Sequence, residues 1–199
     1  LTELRRVTVL FVHLPELDRA GADQAQALVA AVQAIVARYE GSINTLHVDE
    51  KGAMLLAVFG LPPLSHVDDA QRGVRAALTC QAAFLAKGVR CAIGITTGHA
   101  FCGTVGHETR REYTVLGDVV NLAARLMSAA ASSAGERPVL CDTPSYEATK
   151  TVITFGAGLS LTVKGKAQPI IAYPPLQYLD LPKGSAERSY GSQRLIGRA

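Results

Sequence analysis

Asn121 and Arg125 are the residues whose types and spacing point most directly to chemistry. Four positions apart in DVVNLAARLM, they project from neighbouring turns of one helix surface. Arginine presents a planar fork of donors that stays charged, and the carboxamide beside it both donates and accepts. Together they suit an oxyanion lying next to a sugar or a base. A solvated helix face carries the same pattern, so the spacing alone does not assign a role.

The surrounding residues demand a helix. Val119, Leu122, Ala123, Leu126 and Met127 recur at i, i+3, i+4, i+7 and i+8, the apolar face of an amphipathic helix. Ahead of it, a short strand from Glu112 breaks at Leu116-Gly117 and becomes that helix. Asp118, Asn121 and Arg125 are left along another side.

Earlier in the chain, Arg6 to Leu14 is rich in β-branched and aromatic residues and reads as a central strand. Ala25, Leu28, Val29, Val32, Ile35, Val36 and Tyr39 mark one face of a long helix that Gly41 is placed to stop. Ser42 to Val48 and Ala53 to Phe59 form a hairpin around Asp49-Glu50-Lys51-Gly52. After Pro62-Pro63, Ser65 with Asp68 predicts a capping-box-like start to a second helix. Its apolar face carries Val74, Ala77, Leu78 and Leu85, and Gly88 ends it. Val89, Cys91, Ile93 and Ile95 alternate with Arg90, Ala92, Gly94 and Thr96, which predicts a strand leading through Gly98 into a hairpin at Gly103 to Gly106.

The order βαββαβ is the ferredoxin-like arrangement, an α+β fold. Beyond the helix that opens at Gly117, Ser132 to Gly135 reads as a loop and Val139 to Cys141 as a short strand. Ser145 to Lys150 reads as a helical turn, and Val152 to Phe155 and Leu159 to Val163 as extra C-terminal strands. From Pro174 the apolar pattern thins. The domain is therefore expected to span 1–178, with 179–199 a linker toward a following module.

Composition bounds the partners. With 48% hydrophobic and 19% charged residues over 199 positions, the chain is ordinary globular protein. A net charge of +3 argues for neither nucleic acid nor a membrane surface, and no apolar run is long enough to span a bilayer. Cys80, Cys91, Cys102 and Cys141 are scattered without a C-x-x-C pair, which suggests buried reduced thiols and a cytoplasmic setting. A ferredoxin-like RNA-binding sheet is disfavoured, because stacking aromatics and a strong basic patch are both missing.

EYTVLGDVVNLAARLM, preceded by FCGTVGHETRREYTVLG, resembles the signature of class III nucleotide cyclases and is similar to the second cyclase domain of the soluble, bicarbonate-responsive adenylyl cyclases. The likeness covers roughly Arg5 to Tyr173. It implies a domain that acts on a nucleoside triphosphate, forming the 3′,5′-cyclic monophosphate and pyrophosphate at an interface between two such domains. One partner then holds two Mg2+ or Mn2+ ions through two aspartates, and the other reads the base and stabilises the transition state. On this resemblance Arg125 neutralises charge on the α-phosphate, and Asn121 orients the ribose for in-line attack by its 3′-oxygen. Thr114 bonds the base edge. Lys164, in Val163-Lys164-Gly165-Lys166, matches a family lysine that reaches the terminal phosphates, although a solvated turn lysine fits Lys164 equally well.

Three departures shape the expectation. The metal-binding pattern F-x-D-I-x-G reads Phe11-Val12-His13-Leu14-Pro15-Glu16 here, so His13 stands at the first aspartate position. Ala53, after Gly52, stands at the second. This domain is therefore expected to hold no metal, to be inactive alone, and to work as a second-type half with a homologous metal-binding first-type half. A partner upstream of Leu1 is the natural source, and in isolation a homodimer is expected. Thr45 occupies the position of the base-selecting lysine, leaving His47, Asp49 or Lys51 to compensate. ATP is the expected substrate and GTP stays open. The alternative is a non-catalytic regulatory pseudo-cyclase that binds a nucleotide or anion.

Overall fold

The sheet is built around β1 (Glu3–Leu14), whose middle residues are buried on both faces. The computed structural model describes residues 3–15, 21–49, 52–107, 110–133, 138–162 and 168–179. The elements that follow β1 are α1 (Ala22–Arg38), β2 (Ser42–Asp49), β3 (Gly52–Phe59), α2 (Asp69–Leu85), β4 (Ala92–His107), β5 (Arg110–Leu116) and α3 (Asp118–Ser132). After them come β6 (Val139–Asp142), α4 (Thr143–Thr149), β7 (Ile153–Phe155), β8 (Leu159–Leu161), β9 (Ile170–Tyr173) and β10 (Pro175–Tyr178).

The strands run β2-β3-β1-β4-β6-β9-β8, with β5 paired to β4, while β7 and β10 form a separate ribbon. The first four give the ferredoxin-like order expected of βαββαβ. Leu10, Val12, Leu14, Ala57, Phe59, Ile93 and Ile95 pack on one face with Leu28, Val32 and Val36 of α1 and Val74, Ala77 and Phe84 of α2. On the opposite face, α3 covers β1, β4 and β6 with Val119, Ala123, Leu126 and Met127. Burying both faces explains why β4 carries small residues, Ala92 and Gly94, opposite its branched ones.

Local signals differ from the expectation in three places. Gly41 does not supply the left-handed turn after α1. Glu40 does, at φ 60°, in a Schellman pair formed by Gly41 N to Val36 O (2.9 Å) and Glu40 N to Ala37 O (2.9 Å). Gly41 is needed for space, since a Cβ there meets the Phe59 ring at 2.6 Å. By contrast Gly88, at φ 67°, closes the turn after α2 as expected. The start of α2 is not the anticipated Ser65–Asp68 box, because Asp68 makes no side-chain cap and Asp69 Oδ2 accepts from His66 N at 3.0 Å.

The predicted hairpin at Gly103–Gly106 is also corrected. β4 runs unbroken through those glycines to His107, and they pair with Thr114 and Arg111 of β5. Cross-strand hydrogen bonding on this edge outweighs the weak strand preference of glycine. At the C-terminal end, β9 and β10 extend the expected strands, and the predicted linker beyond 179 lies outside the described residues.

Between the sheet and α4 lies a buried polar chain that sequence patterning does not reveal. Thr8 Oγ1 bonds Thr97 Oγ1 at 2.9 Å, Thr97 Oγ1 bonds Ser145 Oγ at 2.8 Å, and Asp142 accepts from Ser145 N at 3.0 Å and from Thr97 N at 3.3 Å. Burial pushes the Asp142 carboxyl up to about 6, the hydrogen bonds offsetting only part of the desolvation. Because the folded value lies above the ordinary 3.8, this group's stabilising contribution is complete below that value and is lost as pH rises through about 6. Chemical denaturation should therefore show Asp142→Asn gaining stability relative to wild type between pH 4 and pH 7, by up to about 3 kcal/mol. A difference independent of pH would contradict this. All four cysteines are free, and burial pushes the thiols of Cys80 and Cys91 up to about 12 and about 11.

Candidate active site

Three local features aim Asn121 and Arg125. Gly117, at φ 153° and ψ 171°, makes a sharp strand-to-helix corner that a residue with a Cβ adopts only under strain. Val119 O then accepts from the buried Thr96 Oγ1 at 2.7 Å, pinning the first turn of α3 to β4. One turn later the α3 backbone rides on Gly94, where a Cβ would lie 2.0 Å from Ala123 O and 2.5 Å from Met127 N. With its apolar face fixed, α3 leaves Asn121 exposed and Arg125 half-buried. Among the described residues, neither side chain is engaged in a hydrogen bond or ion pair. Both donors are available to a ligand.

The strands of Thr45 and Thr114, two of the positions singled out by sequence, are linked through a curl in the sheet. β5 returns along the α3 side, where Val115 packs with Val7, Val9, Leu56 and Val58, and it reaches the edge strand β2. There Asn44 Nδ2 donates to Tyr113 O at 3.1 Å. Thr45 and Thr114 each neighbour one member of that bonded pair. A β-bulge assists: Ile43 lies opposite Ala57 and Thr45 opposite Leu56, which leaves Asn44 as the extra residue. Without it Ile43 and Thr45 would share the α1–α2 face. With it Thr45 turns to the α3 face. Thr45 Oγ1 donates to Asn44 Oδ1 at 3.3 Å. His47, two residues further along β2, shares the face of Thr45, whereas the Asp49 side chain and Lys51 lie outside the described residues, as does Lys164.

His13 and Ala53 do not converge. His13 lies opposite Met54, half-buried on the α3 face, while Ala53 lies opposite Leu14 and is 2% exposed within the core under α1 and α2. A carboxylate at position 53 would point into that core. Among the described residues no group of three His, Cys, Asp or Glu side chains is disposed to hold a metal ion. His13 and Ala53, facing opposite sides of the sheet, do not come together as a pair of ligands. An open groove of about 460 Å³ beside Tyr39, Arg75 and Tyr178 lies elsewhere, and none of the predicted site residues borders it.

A strand-to-helix corner presenting Asn121 and Arg125, with β2 and β5 joined by the Asn44–Tyr113 hydrogen bond, is consistent with nucleotide chemistry, and comparison with known proteins decides the family. Residues 2–136 match the model of the adenylate and guanylate cyclase catalytic domain. The chain belongs to this family. Adenylate cyclase type 10 of Rattus norvegicus is 33% identical over 181 residues, covering 85% of this chain and 11% of the relative. The Homo sapiens protein of that name is 36% identical over 138 residues, covering 64% of this chain and 8% of the relative. The chain thus spans about a tenth of the length of these relatives. Among solved structures, the adenylyl cyclase CyaB of P. aeruginosa is 25% identical with a TM-score of 0.72, covering 89% of this chain and 96% of that one. The guanylyl cyclase Cya2 shares the fold at 21% identity and a TM-score of 0.75, covering 91% of this chain and 96% of that one. Within this cyclase domain, sequence reasoning missed Asn44 and the bulge it forms, because one inserted residue leaves no periodic trace. No described helix is long and apolar enough to cross a membrane.

Proposed function

We propose that this cyclase domain is the second-type half of an adenylyl cyclase, supplying base and transition-state contacts to a site completed by a metal-binding first-type domain. The observation that carries the reading is an asymmetry. Asn121 and Arg125 stand open on a helix anchored at Gly94 and Thr96, while the two metal-ligand positions lie on opposite faces of the sheet.

In this reading the guanidinium of Arg125 meets the charge that builds on the α-phosphate as the leaving pyrophosphate separates. Asn121, one turn away, holds the ribose so that its 3′-oxygen lies in line with that phosphorus. Thr45 and Thr114 contact the base from β2 and β5, and Lys164 reaches the terminal phosphates. The two divalent cations would be held by the partner domain, and when bound they would supply Lewis-acid activation of the 3′-hydroxyl and neutralisation of phosphate charge.

A surface for that partner is available. Leu4, Phe101 and Leu116 lie directly opposite one another across β1, β4 and β5, exposed by 71%, 41% and 52%. A contiguous apolar row of this kind favours contact with another protein surface. A homologous domain would bury it, and a second copy would do so in isolation.

The regulatory pseudo-cyclase remains the second reading, favoured by the burial of Ala53. Cyclic nucleotide formation by the paired domains separates the two. Product from ATP supports the half-site, whereas nucleotide binding without product supports regulation.

A further inference from the structure

We propose that Asn44 is a positioning residue for base recognition, clamping the strand of Thr45 to the strand of Thr114 and turning the Thr45 hydroxyl into a hydrogen-bond acceptor. The inference rests on the nucleotide-binding reading above and adds the polarity of the base contact.

Tyr113 O can only accept, so the group of Asn44 lying 3.1 Å from it is the amide nitrogen. That fixes the carboxamide orientation and presents Oδ1 to Thr45. A hydroxyl has one proton, and the Thr45 proton is given to Asn44 Oδ1 at 3.3 Å. With its proton so used, the Thr45 hydroxyl is left with its two lone pairs, and it meets a further partner as an acceptor. Where the resembled cyclases carry a lysine that only donates, this chain offers an oxygen that accepts. The base edge at Thr45 must therefore bring an N–H, from an exocyclic amino group or a protonated ring nitrogen.

The geometry also explains the bulge. Asn44 is the extra residue of β2, so it can bend toward β5 without removing a cross-strand pair, and the same insertion turns Thr45 to the α3 face. One residue sets the distance between the strands, the direction of Thr45 and the polarity of its hydroxyl.

The test uses the domain paired with its metal-binding partner. The dissociation constant of ATP and, where product forms, kcat and KM are measured for wild type, Asn44→Ala, Asn44→Asp and Thr45→Val. Asn44→Asp keeps the shape but cannot donate to Tyr113 O when ionised. Both Asn44 variants are expected to weaken ATP binding about tenfold with kcat changed less than twofold and the melting temperature held. Thr45→Val should weaken binding similarly, and purine riboside triphosphate, which lacks the amino group, should bind wild type and Thr45→Val equally. An Asn44→Asp protein with wild-type affinity would overturn the proposal, as would a fall in kcat at constant KM. Should the Asn44 variants fail to fold, an unaltered affinity in Thr45→Val overturns it alone. A wild-type pair that binds ATP without turnover would remove the half-site reading and leave this test intact on affinity. A pair that binds no nucleotide would remove both.

Discussion

Replacing Arg125 by alanine in the paired enzyme is expected to lower kcat about 100-fold, the loss typical when one donor to a developing transition-state charge is removed. The fold should survive. Arg125 is half-buried and lies off the apolar stripe of Val119, Ala123, Leu126 and Met127, and its charge is compensated by no described carboxylate. Circular dichroism and the melting temperature should match wild type, while KM for ATP changes less than kcat, because the interaction strengthens as charge develops. Arg125→Lys should recover only part of the rate, since an ammonium cannot reproduce the planar fork. Unchanged turnover in a well-folded Arg125→Ala pair would remove Arg125 from the chemistry.

Gly94→Ala is expected to produce the largest loss of stability, about 3 kcal/mol, which for a domain of this size lowers the melting temperature by roughly 10 °C. Its Cβ would stand 2.0 Å from Ala123 O and 2.5 Å from Met127 N. Both are helix backbone atoms, so no side-chain rotation relieves the contact, and α3 must lift from β4. Lifting α3 loosens Leu126 and Met127 in the core and moves Asn121 and Arg125 together, so activity should fall with stability. Gly98→Ala is the matched control. There the nearest neighbour is Val119 Cγ2 at 3.6 Å, an ordinary contact, and the melting temperature should change little. Calorimetry on the two variants distinguishes a specific backbone approach from a general loss of strand glycine, which predicts similar effects at both sites.

Much of this architecture was legible because it repeats. The i, i+3, i+4 spacing of Val119 to Met127 gave α3 and its buried face, and it placed Asn121 and Arg125 off that face. The polar turn at 49–52 gave the hairpin of β2 and β3, and the β-branched and aromatic run of Arg6 to Leu14 gave the central position of β1. What periodicity cannot carry is a single event. The bulge at Asn44 inverts the face of every later residue in β2, yet it leaves the composition of the strand unchanged. Gly103 and Gly106 read as punctuation because glycine disfavours strands, and only pairing with β5 overrides that preference. Thr96 reads as one of the residues alternating with the apolar set of β4, and Thr97 beside it points to the opposite face. They are buried because α3 and α4 cover β4 from the two sides, a tertiary fact that no local window contains. The departure of His13 and Ala53 from the aspartates of the resembled pattern was visible as residue types, but the opposite facing of the two positions required the β1–β3 register.

That register makes dependence on a partner the central claim. The most direct measurement is the initial rate of cyclic nucleotide formation from ATP, with Mg2+ or Mn2+, by this domain joined to a metal-binding first-type cyclase domain, compared with each domain alone. The account predicts product from the pair and none from this domain by itself. Turnover by the isolated domain, or a folded and associated pair that forms no cyclic nucleotide, would contradict it.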